Sequence, residues 1–275
     1  MIDDTVRDFL RGRGIRLDTD LGQHFLIDES VLEDIVTVAD IQTTDSVVEI
    51  GPGIGILTRE LLSRAGHVTA IEIDPRMIPL LRIFTMNEKS ELAKNLTIVE
   101  GNALQSPMPD KAYKVVANIP YHITSPLLTH CLLESPKRPT AMTLLIQREV
   151  AENICSEESD SILTILVRLF GTPSLIRLVP PRCFLPPPKV DSAVLHIECF
   201  EKPKADLETV KRILKLSKLA FSKRRKMLRN TIGETPSGTE AMTKASIDPM
   251  RRPQTLSIDE WLTLDSALGE IRGRS

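Results

Sequence analysis

Residues 46–55 read SVVEIGPGIG, a short apolar segment that runs directly into three glycines. The apolar part predicts a buried β-strand, and the periodic apolar side chains of residues 56–62 predict a helix behind the glycines. Glycines permit the unusual backbone angles of a tight turn and let a ligand approach the main chain, where N–H groups at the helix start face it. Strand, glycine turn and helix in this order indicate a nucleotide site in an α/β fold.

A carboxylate ends the next predicted strand, residues 68–72. Glu72 lies 21 positions after Gly51, where an acid that binds ribose hydroxyls is expected. The glycine spacing is G-x-G-x-G and not the G-x-G-x-x-G of dinucleotide-binding proteins, so the turn does not require a pyrophosphate. Asp74 follows, either as a second ligand or as an acid favoured by the dipole at a helix start.

Two further predicted strands also end at polar side chains. Residues 96–100 run into Asn102, and the apolar run of residues 113–117 ends at Asn118. Ligands of an open parallel sheet collect at the carboxyl ends of its strands. We therefore expect Asn102 and Asn118 to line one crevice together with Gly51 and Glu72. Strands and helices alternate as far as residue 155, and this predicts βαβ units in the α/β class.

The segment Asn118-Ile119-Pro120-Tyr121 places an amide, a rigid backbone and an aromatic ring together. Proline has no N–H and favours an extended residue before it, so carbonyls of this loop remain available as acceptors. Two acceptors beside an aromatic face suit the exocyclic amine of a planar base. The same four residues also fit an ordinary turn at the end of a strand.

Two other segments carry aromatic or polar residues with two open interpretations. Residues 18–26, DTDLGQHFL, predict a lid in which Gln23 and His24 touch a ligand, or else a stretch that is only packed by its apolar residues. Residues 174–179 and 193–200 predict an antiparallel hairpin at the sheet edge. Three prolines stiffen its connection, so Phe184 is expected to be presented rigidly and not buried, although a Phe is normally a core residue.

Charge is distributed unevenly along the 275 residues. Residues 1–200 carry 19 basic and 27 acidic side chains, net −8, whereas residues 201–275 carry 16 and 10, net +6. We therefore predict two domains, 1–202 and a basic helical domain 203–275, with Pro203 in the linker. The basic side chains concentrate in one cluster, which either contacts a polyanion or forms a solvated face: Lys223, Arg224, Arg225, Lys226 and Arg229.

The remaining composition excludes several classes of protein. The acidic start is unlike a secretory signal, and no apolar run approaches the roughly 18 residues of a membrane span, so a cytoplasmic protein without a membrane partner is expected. The four cysteines are widely spaced with no C-x-x-C pair. We interpret them as reduced thiols and expect no metal site.

Taken together, several motifs resemble the ribosomal RNA adenine dimethyltransferase family. They are LGQHFL (21–26), EIGPGIGILT (49–58), NIPYHITSPLL (118–128), FLPPPKVDSAV (184–194) and SKRRKMLRNTI (222–232). The resemblance runs from about residue 20 to about 265. Relatives that methylate large-subunit RNA share NIPY but typically lack the PPPKVDSAV form and this C-terminal pattern, so the chain is more similar to the small-subunit enzymes.

This resemblance implies a class I, Rossmann-like methyltransferase sheet with a small C-terminal helical domain. It implies dimethylation of two adjacent adenosines in a hairpin loop near the 3′ end of small-subunit ribosomal RNA, within small-subunit biogenesis. Partners would be that RNA and the pre-ribosomal small subunit, and a monomer is expected. The implied S-adenosylmethionine ligands are His24, Leu26, Gly51, Gly53, Glu72, Asn102 and Asn118. The implied catalytic residues are Asn118, Ile119, Pro120, Tyr121 and Phe184.

The chain departs from the family pattern at three places. Asn102 stands where the family usually has Asp, an acid that accepts a hydrogen bond from the cofactor's adenine amine. Ser161-Ile162 replaces the common Tyr-Gly, and residues 18–20 lack the usual basic side chains. Two other functions stay open. An Asn-Pro-aromatic loop also suits the planar amine of a DNA adenine or a protein glutamine, and Asn102 leaves room for a ribosome-assembly factor that no longer methylates.

Overall fold

The computed structural model describes residues 2–15, 17, 22–86, 92–157, 161–223 and 226–273. Within them the strands are β1 (Phe25–Leu26), β2 (Ser46–Ile50), β3 (His67–Glu72), β4 (Leu96–Glu100), β5 (Lys114–Asn118), β6 (Ala141–Gln147), β7 (Gly171–Val179), β8 (Phe184–Leu185) and β9 (Ser192–Cys199). The α-helices are α1 (Ile2–Arg11), α2 (Glu29–Val38), α3 (Ile56–Leu62), α4 (Met77–Met86), α5 (Thr124–Thr129), α6 (Arg148–Cys155), α7 (Ile162–Phe170), α8 (Leu207–Phe221), α9 (Pro236–Lys244) and α10 (Ile258–Arg272).

Seven strands form one sheet in the order β4-β3-β2-β5-β6-β9-β7. β4, β3, β2, β5 and β6 pair in parallel, and β9 pairs antiparallel with β6. The carboxyl ends of the parallel strands therefore meet at one edge of the sheet. This topology confirms the predicted α/β class, and β9 and β7 are neighbours at the sheet edge, as the sequence predicts.

The middle of the sheet is buried on both faces. Val48 on β2, Val115 and Val116 on β5, and Ile146 on β6 have no exposed surface. Strands covered on both sides read as continuous apolar runs and do not alternate with polar residues. The periodic apolar helices α2 and α3 pack buried side chains into the same core, which fixes the strand ends in place.

A second, two-stranded sheet was not predicted. β1 pairs antiparallel with β8, so that Leu26 lies opposite Phe184 and Phe25 opposite Leu185. Phe184 is only 3% exposed and belongs to the apolar core that includes Leu26 and Cys183. The expectation that Phe184 is held out from the core is therefore wrong, because pairing with β1 turns its ring inward.

The chain divides into two compact units. The first comprises Met1–Ala151 with Ser174–Cys199, and the second comprises Glu152–Pro173 with Phe200–Ser275. The second unit is helical and packs around Trp261, which has no exposed surface and lies 6.4 Å from the ring of Phe221. Residues 152–173, which the sequence prediction placed in the first domain, belong to this unit, and the functional boundary near 203 stays a prediction.

Ser161, one of the predicted departures from the family pattern, begins α7. Its hydroxyl accepts a hydrogen bond from the backbone N–H of Thr164 at 3.1 Å. A serine at this position satisfies one of the helix's free donors, so the replacement is compatible with the local fold.

Among the helices that the structure describes, none combines the length and the apolar character needed to cross a membrane.

Candidate functional site

A cavity of about 220 Å³ lies where β2, β3, β4 and β5 end. It brings together Gly51, Glu72, Asn102 and Asn118, the four residues that the sequence places at strand ends. The lining also includes Gln23, His24, Gly53, Asp74 and Leu104. Leu26 is not in this lining; it is 4% exposed and borders a neighbouring cavity of about 30 Å³.

The glycine turn has the conformation that the sequence predicts. Gly51, Gly53 and Gly55 have φ angles of +66°, +57° and +98°, a region that residues with a Cβ adopt at a cost. At Gly53 a Cβ would also lie 2.5 Å from the ring of Phe25. The turn thus requires glycine both for its backbone angles and for the close approach of the N-terminal segment.

Glu72 is held by the backbone on either side of the cavity. Its Oε2 accepts the N–H of Gly53 at 3.0 Å, and its Oε1 accepts the N–H of Asp74 at 2.8 Å. Burial raises the pKa of this carboxyl, although the two N–H donors act in the opposite direction. Each carboxylate oxygen keeps a second lone pair. The side chain is therefore fixed in a position from which it can accept the hydroxyls of a ribose.

Asn102 folds its side chain back onto its own loop. Its Oδ1 accepts the backbone N–H of Leu104 at 3.0 Å, and the carbonyl of Asn102 accepts the hydroxyl of Ser106. The hydrogen bond to Leu104 fixes which end of the amide is oxygen, since the nitrogen could only oppose another N–H there. The second terminal atom of this side chain is consequently a donor.

A second cavity, of about 310 Å³, adjoins the first at Asn118 and His24, which line both. Its lining contains the predicted catalytic residues Ile119, Pro120, Tyr121 and Phe184, together with Gln147. The first cavity thus lies beside the glycine turn, and the second lies beside residues 118–121, which we call the aromatic loop. The amide of Asn118 lies at the border between them. This arrangement suits two ligands that meet at one side chain.

Asn118 is oriented by the N-terminal segment. Its Nδ2 donates a hydrogen bond to the carbonyl of His24 at 2.9 Å, which leaves Oδ1 as an acceptor. Pro120 follows with φ −55° and ψ 133°, and the hydroxyls of Tyr121 and Ser192 lie 2.7 Å apart. Burial raises the pKa of the Tyr121 hydroxyl, which therefore stays neutral. Its hydrogen bond with Ser192 fixes the position of the ring.

The sequence did not reveal how residues 22–26 are attached to the rest of the site. Gln23 donates a hydrogen bond to Asp74 at 2.8 Å, and the Nδ1–H of His24 donates to the carbonyl of Pro186 at 2.7 Å. Hydrogen bonds from the side chain of Arg76 hold the pKa of Asp74 below its usual value. Asp74 therefore anchors the described part of the predicted lid, whose residues 18–21 lie outside the described residues. No local sequence pattern predicts that contact.

The predicted basic cluster is only partly described. Arg224 and Arg225 lie outside the described residues. Lys223 contacts Glu234 and donates to the carbonyl of Asn230 at 3.4 Å, so it is not a free cation. Lys226 and Arg229 are exposed. Neither forms an ion pair with another described residue, and these two side chains remain available to a polyanion.

Comparisons with known proteins show the family of the chain. The family described as ribosomal RNA adenine dimethylase matches residues 14–269. The chain belongs to the ribosomal RNA adenine dimethylase family. This membership confirms the family predicted from the sequence and, with it, the enzyme class, an rRNA adenine dimethyltransferase that uses S-adenosylmethionine.

Relatives of the dimethylase extend over almost its whole length. Ribosomal RNA small subunit methyltransferase A of Dehalococcoides mccartyi strain BAV1 is 37% identical over 271 residues, 94% of this chain and 91% of that relative. The protein of the same name from Clostridium perfringens strain SM101 is 39% identical, over 96% of this chain and 94% of its own.

Two solved structures are similar to this dimethylase. The 23S rRNA methyltransferase ErmE has a TM-score of 0.73 at 28% identity, covering 89% of this chain and 99% of its own. A dimethyladenosine transferase from Plasmodium falciparum has a TM-score of 0.72 at 27% identity, covering 88% and 96%. These likenesses confirm the predicted methyltransferase fold.

Proposed function

We propose that this dimethylase methylates the exocyclic amines of two adjacent adenosines in a hairpin loop near the 3′ end of small-subunit ribosomal RNA. The observation that carries the proposal is the orientation of the Asn118 side chain. Its Nδ2 donates a hydrogen bond to the carbonyl of His24, so its Oδ1 is left as an acceptor where the two cavities adjoin. The choice of the small-subunit RNA is supported by relatives that are named for that subunit.

The first cavity has the features that S-adenosylmethionine requires. Glu72 is positioned for ribose hydroxyls, and the turn at Gly51 and Gly53 allows close approach of a ligand to the backbone. The lining is mostly apolar, with few polar groups, as is typical of small-molecule sites. When bound, this cofactor supplies an electrophilic methyl group on a positively charged sulfur.

The protein's contribution to the reaction is the position and polarisation of the target amine. The lone pair of an adenine amine is delocalised into the ring, so the amine must become pyramidal before it can attack a methyl group. Asn118 Oδ1 and the carbonyl of Ile119 accept the two amine hydrogens and stabilise the charge that develops on them. Tyr121 supplies a face for the base, and Pro120 holds the loop rigid. The methylated nitrogen then loses a proton to water.

The second unit contributes an electrostatic surface to the same function. The part of it formed by residues 201–275 has a net charge of +6, and this charge and the exposed Lys226 and Arg229 suit the phosphates of a folded RNA. We extend the proposal to a monomer in the cytoplasm that acts on pre-ribosomal small subunits. A chain that bound these particles without methylating them would instead be an assembly factor.

The test is incubation of the purified chain with S-adenosylmethionine and each of four polymers: small-subunit RNA, large-subunit RNA, adenine-containing DNA and a glutamine-containing protein. Mass analysis of nuclease or protease fragments then identifies the product. We expect two dimethylated adenosines in one fragment of small-subunit RNA. Binding of the RNA without a mass change would support the assembly factor, and modification of another polymer would replace the proposed substrate.

A further inference from the structure

Three neighbouring strands of the large sheet carry polar side chains at the edge where the two cavities lie. Asn118 is the last residue of β5, Gln147 is the last of β6, and Ser192 is the first of β9. Gln147 lies opposite Ser192 in the antiparallel register. Asn118 lies opposite Leu145, two residues before Gln147. Because paired residues share a face of a sheet, as do residues two apart along a strand, the three polar side chains belong to one face.

Gln147 is the member of this row whose side chain has no partner within the described part of the chain. The amide nitrogen of Asn118 donates to the carbonyl of His24. The hydroxyl of Ser192 lies 2.7 Å from the hydroxyl of Tyr121. The carboxamide of Gln147 forms no hydrogen bond with a described residue, is half-buried and lines the second cavity. Its N–H groups and its oxygen are therefore left for a ligand in that cavity.

The two acceptors proposed for the target amine do not select adenine alone. Asn118 Oδ1 and the carbonyl of Ile119 accept the hydrogens of an exocyclic amine, and cytosine carries such an amine as well. The two bases differ on the edge beside the amine, where adenine has the acceptor N7 and cytosine has none. A donor that faces this edge would separate adenine from cytosine.

We propose that Gln147 is a specificity-determining residue whose Nε2 donates a hydrogen bond to N7 of the target adenine, an assignment that rests on the proposed function. Carboxamide side chains pair with adenine through its N6 amine and N7. The N6 hydrogens already have their acceptors at Asn118 and Ile119, so N7 is the group that remains for Gln147.

The reaction itself favours N7 over the other ring nitrogen beside the amine, N1. The lone pair of the amine is delocalised towards N1, so a hydrogen bond donated to N1 would keep the amine planar and oppose its attack on the methyl group. N7 does not take up that charge. A donor at N7 therefore reads the base without making its amine a poorer nucleophile.

The test compares two RNA hairpins that differ at an adenosine that the wild-type chain methylates. One hairpin keeps adenosine, and the other has 7-deazaadenosine, in which a C–H group replaces N7. We expect wild type to prefer adenosine. In Gln147→Met, which keeps the length of the side chain without its donor, the ratio of the two kcat/KM values should be roughly 2- to 10-fold smaller. Any intrinsic effect of the altered base is the same in both proteins, so the change in ratio isolates the hydrogen bond.

Two further variants separate this contact from a structural role. Gln42→Met makes the same change at an exposed position just before β2, at the amino ends of the parallel strands, and should keep the wild-type ratio. Gln147→Glu keeps the shape of the side chain and loses the donor. Its ratio should therefore match that of Gln147→Met.

Equal ratios in wild type and in both Gln147 variants would overturn the assignment. So would a preference of wild type for adenosine over 1-deazaadenosine that Gln147→Met abolishes, because that result would place the hydrogen bond at N1. Both outcomes leave the proposed function standing, since the chain still methylates adenosine. If the wild-type chain methylates no adenosine in any RNA, the proposed function itself fails, and the assignment of Gln147 fails with it.

Discussion

The side-chain nitrogen of Asn118 donates a hydrogen bond to the backbone carbonyl of His24 at 2.9 Å. This contact joins the end of a central strand to a segment 94 residues earlier in the chain. It fixes the direction of the amide, and so the oxygen that we propose as acceptor of the target amine is defined before substrate binds. A preorganised acceptor needs no reorientation during the reaction, which is the source of its catalytic value.

Replacing Asn118 by Asp should therefore impair catalysis although the two side chains have the same shape. A carboxylate has no hydrogen for the carbonyl of His24, so two oxygens would repel each other and the side chain would rotate. We expect the single-turnover rate at saturating cofactor to fall by roughly 10²- to 10³-fold, with the melting temperature preserved. Asn95→Asp, outside both cavities, controls for the added charge. A variant as fast as wild type would show that the amide donor is dispensable.

Phe184→Ala should destabilise the protein, in contrast to the expectation from its proline-rich surroundings. Phe184 is 3% exposed within the core, and removal of a buried Phe costs about 3–5 kcal/mol of unfolding free energy. Urea denaturation monitored by circular dichroism measures this loss. Phe200→Ala controls for the loss of a ring, because Phe200 is less buried and borders neither the first nor the second cavity. An unchanged unfolding midpoint in Phe184→Ala would contradict the packing described above.

Glu49 predicts a particular dependence of stability on pH. It is 2% exposed, accepts the hydroxyl of Thr58 at 2.6 Å, and burial raises its pKa from 4.5 to about 8. The unfolded chain releases this proton near pH 4.5 and the folded chain retains it to about pH 8. Since the unfolded state binds fewer protons across that interval, stability falls as pH rises through it.

Glu49→Gln should remove this pH dependence because an amide does not ionise. We expect the variant to gain stability over wild type as pH increases from 5 to 8, by on the order of 4 kcal/mol at most. Thermal melting in matched buffers across this range gives the comparison. Glu100→Gln, an exposed carboxyl, should melt in parallel with wild type. Parallel curves for Glu49→Gln as well would mean that Glu49 is ionised in the folded protein.

The arrangement of the central site could be predicted from the sequence because it depends on the pattern of apolar residues that defines its strands and helices. Apolar runs define the parallel strands, and their carboxyl ends must share one edge, so Gly51, Glu72, Asn102 and Asn118 were placed together correctly. The positive φ angles of the glycine turn are permitted by residue type, and the strand and helix on either side indicate a tight turn there. These are local features that a single segment encodes, combined with one rule for open parallel sheets.

The contacts that close the site could not be predicted in this way. β1 and β8 have two residues each and show no periodicity. The prolines beside Phe184 predict an exposed side chain, whereas the structure buries it. The hydrogen bonds from Gln23 to Asp74 and from His24 to Pro186 join residues 51 and 162 positions apart. Such pairs depend on tertiary packing, which overrides the local preferences of either partner.

Lys226 and Arg229 should contribute to RNA affinity through phosphate contacts. Both are exposed and without an ionic partner in the described part of the chain. Replacing both with Gln should weaken RNA binding and reduce the slope of log K against log salt by about 2. Fluorescence anisotropy across a salt series measures both quantities. Lys244→Gln, whose side chain already contacts Glu270, should leave the slope unchanged. The same pair of changes at Arg224 and Arg225 extends the test.

Asn102→Asp should tighten the binding of S-adenosylmethionine. The Oδ1 of Asn102 already accepts the N–H of Leu104, so only its second, neutral lone pair is left for the adenine amine of the cofactor, and the other atom of this amide is a donor like that amine. In the variant one carboxylate oxygen can keep the bond to Leu104 while the other accepts from the cofactor. A hydrogen bond to a charged acceptor is stronger than one to a neutral acceptor by on the order of 1 kcal/mol, which corresponds to a roughly several-fold lower dissociation constant.

The maximal rate should change little, because Asn102 lines the first cavity and not the second, which we propose for the target base. Calorimetric titration of both forms, with single-turnover methylation at saturating cofactor, separates affinity from rate. Asn95→Asp again controls for the added charge. If wild type binds no cofactor even at millimolar concentration and Asn102→Asp creates activity, the natural chain would be an assembly factor in which one amide has disabled an otherwise complete site.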